Sequence, residues 1–68
     1  MAPSPMLAKR LRQLRDERGW TQAQLARRAQ ISRVYVAMLE TQAADPRLSI
    51  VVRLAKALGV KIGALVDS

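Results

Sequence analysis

The 68-residue chain contains no cysteine, no histidine and no phenylalanine, and its only aromatic side chains are Trp20 and Tyr35. Without cysteine there is neither a disulfide nor a thiolate metal site. Without histidine the commonest metal ligand and general base is missing. The carboxylates, Asp16, Glu17, Glu40, Asp45 and Asp67, form no catalytic spacing with another polar group. The residues therefore point away from an enzyme and call for no cofactor and no metal. No apolar run approaches the roughly 18 residues of a membrane span. Met1-Ala2-Pro3-Ser4-Pro5 has no apolar segment of the signal-peptide kind. The expectation is a soluble, cytoplasmic protein with no membrane partner and no evident small-molecule ligand.

Positive charge is plentiful, with 12 basic residues against 5 acidic ones and a net charge of +7. That imbalance favours a polyanionic partner, nucleic acid first among them. The length suits one domain over residues 1–68, with 1–5 as a flexible lead-in, near the lower limit for a self-sufficient core. Half the residues are hydrophobic, and with so few aromatics the core must come from Leu, Val, Ile and Ala. Such small side chains suit closely packed helices.

Five short helices are expected, giving an all-α bundle. Leu7, Leu11 and Leu14 repeat at i, i+4, i+7, and Gly19 is placed to stop that helix. Thr21 and Gln24 form a capping box, T-x-x-Q, ahead of Leu25, Ala26 and Ala29. Ser32 offers a further N-cap, and Arg33 to Glu40 runs on without Gly or Pro. Asp45-Pro46 can start a fourth helix, with Ser49 as a competing cap, and its stripe of Leu48, Val51, Val52, Ala55 and Leu58 ends at Gly59. A last short segment, Lys61 to Val66, carries Ile62, Leu65 and Val66.

Thr21 to Glu40 is the pattern of a helix-turn-helix, whose second helix can lie in the major groove of DNA. On a wheel of about 100° per residue, Ser32, Tyr35, Val36 and Leu39 gather on one side, the expected buried face. Arg33, Val34, Ala37, Met38 and Thr41 gather on the other. A helix made only to be solvated more often carries Glu, Lys and Gln there. Val34 and Met38 also fit a wider core or a dimer contact.

The pieces LRQLRDERGWTQ, QLARRAQIS, SRVYVAMLE and PRLSIVVRLAKALGV, in this order, resemble the lambda-repressor/Cro (XRE) family of helix-turn-helix DNA-binding domains from about Leu7 to Val66. The resemblance implies base contacts from Ser32, Arg33, Val34, Ala37 and Met38. Arg33 is the foremost reader, since a guanidinium can grip guanine O6 and N7 together. It implies phosphate contacts from Thr21, Gln22, Tyr35 and Arg47, with Gln22 at a helix N-terminus suited to an anion. For Tyr35, a ring packed at the core edge is an equal alternative. It implies a structural ion pair between Arg15 and Glu40. Two departures stand out: Gln30 occupies a turn position where the family usually has glycine, and the TQAAD connection lacks the family's glycine and basic residues.

The function implied is a sequence-specific, double-stranded DNA-binding transcriptional regulator, of repressor or controller type. The Arg33–Tyr35 spacing also resembles the controller proteins of restriction–modification systems. The alternative is an antitoxin or interaction module whose main partner is another protein. Ile62 and Val66 are the expected homodimer contacts, because the small core behind that terminal segment cannot cover all its apolar residues. Such a dimer would read a palindromic operator.

Overall fold

The structure, a computed structural model, describes residues 5–66. Four α-helices follow one another: α1 (Pro5–Glu17), α2 (Gln22–Ala29), α3 (Arg33–Glu40) and α4 (Leu48–Leu58), then a 3₁₀ turn, Ile62–Ala64. The fifth helix expected over Lys61 to Val66 is thus a single 3₁₀ turn. A segment this short, with Gly63 at its centre, cannot sustain a helical nucleus. The expected flexible lead-in lies outside the described residues for 1–4, whereas Pro5 already belongs to α1.

Local chemistry sets the helix starts. The Thr21 hydroxyl accepts from the Gln24 N–H at 3.1 Å, and the Gln24 carbonyl oxygen accepts from the Thr21 N–H at 2.8 Å, completing the capping box. Ser32 caps α3 by accepting from the Tyr35 N–H at 3.0 Å. The N-cap position of α4 falls to neither Asp45 nor Ser49. Arg47 holds that position in extended backbone, with no side-chain cap, and the first helical residue is Leu48.

The helix ends share one device. A residue in left-handed backbone follows each helix, and the next N–H reaches back to a carbonyl of the last turn. The left-handed residues are Gly19 (φ 67°), Gln30 (φ 60°), Gln42 (φ 63°) and Gly59 (φ 70°). The returning bonds are Trp20 N–H to Arg15 O (3.1 Å), Ile31 to Ala26 (2.9 Å), Ala43 to Met38 (2.7 Å) and Val60 to Ala55 (3.0 Å). Two closures therefore use glycine at no steric cost. The other two force a Cβ into a conformation that costs about 1–2 kcal/mol.

Packing is centred on α2, which lies against α3 and α4, while α1 lies against α3 and the 3₁₀ turn against α4. Leu11, Leu25, Leu39, Leu54, Leu65 and Val36 are the largest fully buried side chains. Ala26, Ala29 and Ala55 are buried among them and let the helices approach closely. Leu48, expected in the buried stripe of α4, is instead 70% exposed, because the first turn of that helix extends past the core. Val52, from the same stripe, is half-buried. Arg18 ties the helix ends together by donating to the Leu14 carbonyl at 2.8 Å and the Leu58 carbonyl at 2.6 Å. Its charge thereby meets the negative ends of α1 and α4 at once.

Candidate nucleic-acid interface

The short helix α3 divides sharply into two faces. Val36 and Leu39 are sealed in the core, and Tyr35 is half-buried at its edge. Opposite them, Arg33 is exposed, Val34 is 59% exposed and Met38 is 38% exposed, with half-buried Ala37 between. Val34 and Met38 therefore do not belong to the core of this chain. Ser32, expected on the buried side, is exposed: its oxygen accepts the cap bond, and its O–H proton remains a donor to a ligand. Thr41 closes this face, its hydroxyl 3.1 Å and 3.2 Å from the Ala37 and Met38 carbonyls. The face carries one cation, one aliphatic and one thioether group, one methyl and two hydroxyls. That mixture can hydrogen-bond a base edge and cover a methyl group.

The C-terminal end of α3 is anchored at a junction of three helices. Glu40 is buried, its side chain only 4% exposed, and Arg15 of α1 grips it with both arms of a fork. Arg15 Nε donates to Oε2 at 2.7 Å, and Nη2 donates to Oε1 at 3.0 Å. Arg15 Nη1 also donates to the Trp20 carbonyl at 2.7 Å. The hydrogen bonds to Glu40 hold the Arg15 guanidinium above its ordinary pKa, against the opposing pull of its burial. Gln22, the first residue of α2, donates from Nε2 to the same Oε1 of Glu40 at 3.2 Å. One amide proton of Gln22 is thereby committed inward. The other remains available at the N-terminus of α2, where backbone N–H groups and the helix dipole favour an anion. This link from Gln22 to Glu40 has no signature in the sequence, because 18 residues separate them.

The remaining candidates are spread around this centre. Thr21 is exposed beside Gln22, and Arg47 is exposed at the start of α4. Ile62 is 37% exposed and Val66 half-buried, while Leu65 between them is fully buried. Arg28 stacks over the Trp20 ring, 4.3 Å from its centroid, with Arg18 on the same ring at 5.8 Å. Among the described residues, no helix is long and apolar enough to cross a membrane.

Comparison with known proteins agrees with this geometry. A helix-turn-helix family model matches residues 11–65. The immunity repressor protein of Bacillus phage phi105 is 40% identical over 60 residues, which is 88% of this chain and 42% of that protein. The chain thus spans less than half the length of that relative. The crystal structure of the restriction-modification controller protein C.AhdI from Aeromonas hydrophila superposes with a TM-score of 0.88 at 31% identity, over 91% of this chain and 94% of that one. A hypothetical transcription factor from Neisseria, NHTF, gives a TM-score of 0.86 at 35% identity, over 91% of this chain and 72% of that one.

Proposed function

The chain belongs to the helix-turn-helix family, and on that premise we propose that it is a sequence-specific, double-stranded DNA-binding transcriptional regulator without enzymatic activity. It acts in the cytoplasm as a homodimer on a palindromic operator, in the manner of a repressor or controller. The observation that carries this reading is the outer face of α3. Val34 is 59% exposed on a helix whose inner face is sealed, and Arg33 stands free beside it. Arg33 reads a guanine edge, Val34 and Met38 cover thymine methyls, and Ala37 allows the helix to sit close to the bases. Ser32 donates from its cap position. Thr21, Gln22, Arg47 and the Tyr35 hydroxyl hold flanking phosphates and fix the register of α3.

The relatives support the same reading: one is named an immunity repressor and one a restriction-modification controller. Two copies joined through Ile62 and Val66 would present their recognition helices about 34 Å apart, one turn of DNA. Fluorescence anisotropy with labelled duplexes tests the proposal. The logarithm of affinity for a cognate duplex should fall linearly with the logarithm of salt, at about 0.9 per phosphate neutralised. Affinity that ignores salt, or equal affinity for duplex and single strand, would overturn it.

A further inference from the structure

Three cations stand together away from α3. Arg28, Arg53 and Lys56 line a groove of about 220 Å³ between the end of α2 and the outer side of α4, with Gln30 at its rim and half-buried Ala57 as its apolar floor, over the sealed Ala29. No carboxylate lines it. Two of the cations are already held in place, Arg28 by the Trp20 ring at 4.3 Å and Arg53 by donating to the Gln30 carbonyl at 3.4 Å. Groups held in this way lose little side-chain freedom on binding a ligand.

The groove does not share the direction of the candidate DNA surface. Gln22 turns toward Glu40 of α3. Arg28, six residues later at about 100° per residue, sits roughly 120° around α2 from it. It turns toward Trp20 and α4 instead. A ligand in the groove and a duplex on α3 therefore approach from different sides.

The chemistry of the groove selects among anions. Guanidinium forks favour carboxylates and phosphates alike. An alanine floor adds something only to a ligand with an apolar stem beside its charge. A glutamate side chain supplies both, laying its methylenes on half-buried Ala57 and its carboxylate between Arg28 and Arg53. A duplex backbone supplies the charge but not the flexible apolar stem. We propose that this groove docks a glutamate-rich segment of a partner protein while α3 is engaged on DNA. Only the simultaneity rests on the regulator reading, since docking itself is measured without DNA.

Trp20, the only tryptophan, lies against Arg28 and reports on the groove by fluorescence. The probe is a short oligoglutamate peptide, with oligoglutamine as control, added to the full chain. Oligoglutamate should change Trp20 emission saturably and oligoglutamine should not. The pair Arg53→Glu and Lys56→Glu should weaken that binding by at least about tenfold. Lys9→Glu with Arg12→Glu, the same charge change on exposed positions of α1, should leave it within about threefold. Arg53→Gln with Lys56→Gln, a milder change that keeps the fold safe, should give an intermediate loss. Oligoglutamate should also bind a preformed complex with labelled duplex without lowering its anisotropy. Equal losses from the α1 and α4 pairs would reduce the effect to general charge attraction and overturn the proposal. Displacement of the duplex by peptide, or a larger loss of duplex binding from the α4 pair than from the α1 pair, would assign the groove to DNA instead. Peptide binding that persists in a chain showing no duplex affinity would overturn the regulator reading and leave the groove standing.

Discussion

Replacing either member of the Arg15–Glu40 pair should destabilise the fold, and by unequal amounts. Both side chains are largely buried, at 13% and 4% exposure. Removing one partner of a buried pair costs about 3–5 kcal/mol, because the other charge is left without compensation. A chain of 68 residues has in total only about 3–10 kcal/mol of stability at roughly 0.05–0.15 kcal/mol per residue. Either loss is therefore a large share of the whole. The structure further predicts which is worse. Glu40→Ala leaves Arg15 its bond to the Trp20 carbonyl at 2.7 Å and the Asp16 carboxylate at 3.4 Å. Arg15→Ala leaves the more deeply buried Glu40 with only the Gln22 amide, at 3.2 Å. Arg15→Ala should thus be the costlier by about 1–2 kcal/mol, the scale of an unsatisfied buried polar group. The double replacement should cost less than the two single losses combined. Urea unfolding of the four proteins measures all of this. Strict additivity would show that the two side chains do not interact, and a larger loss from Glu40→Ala would show that Arg15, not Glu40, is the costlier group to leave unpaired.

Gln30→Gly and Gln42→Gly should each stabilise by about 0.5–1 kcal/mol, relief of left-handed strain outweighing the freedom glycine adds to the unfolded chain. The melting temperature should rise by about 4–8 °C per kcal/mol, while Gln30→Ala, which keeps the Cβ, should give no rise; a fall for Gln30→Gly in a thermal melt would show the turn is unstrained. Arg33→Lys should cost about 1–3 kcal/mol of discrimination at one base pair, because lysine keeps the charge and loses the fork; competition binding with single-base variants of the site checks this. Ile62→Glu should lower the dimer fraction in sedimentation without unfolding the chain, since Ile62 is 37% exposed whereas its neighbour Leu65 is fully buried. An unchanged dimer fraction would move the interface elsewhere.

Much of this fold is legible in the sequence because its signals are local. Thr21-x-x-Gln24 and Ser32 announce two helix starts through side chains that satisfy nearby N–H groups, and Gly19 and Gly59 announce two ends. The division of α3 follows from residue spacing except at Ser32, which the wheel places on the buried side and which is exposed as the cap. What escapes is either unsignalled or long-range. Gln30 and Gln42 close helices in a conformation that glutamine does not advertise, and Arg47 precedes α4 with no capping bond. Leu48 matches the apolar period of α4 yet lies beyond the core, because periodicity does not say where a core ends. At the candidate site, the outer residues of α3 could be picked from the helical wheel. The bond from Gln22 to Glu40 and the groove of Arg28, Arg53 and Lys56 depend on how distant segments pack.

Selection from a pool of randomised duplexes decides whether α3 reads DNA sequence. The expected outcome is enrichment of a palindrome whose half-sites lie about 10 base pairs apart, centre to centre. Val34→Glu, a change on the exposed face of α3, should abolish the enrichment while the chain stays folded. A pool that emerges with no preferred sequence, or a preference that survives Val34→Glu unchanged, would contradict the claim that α3 reads DNA.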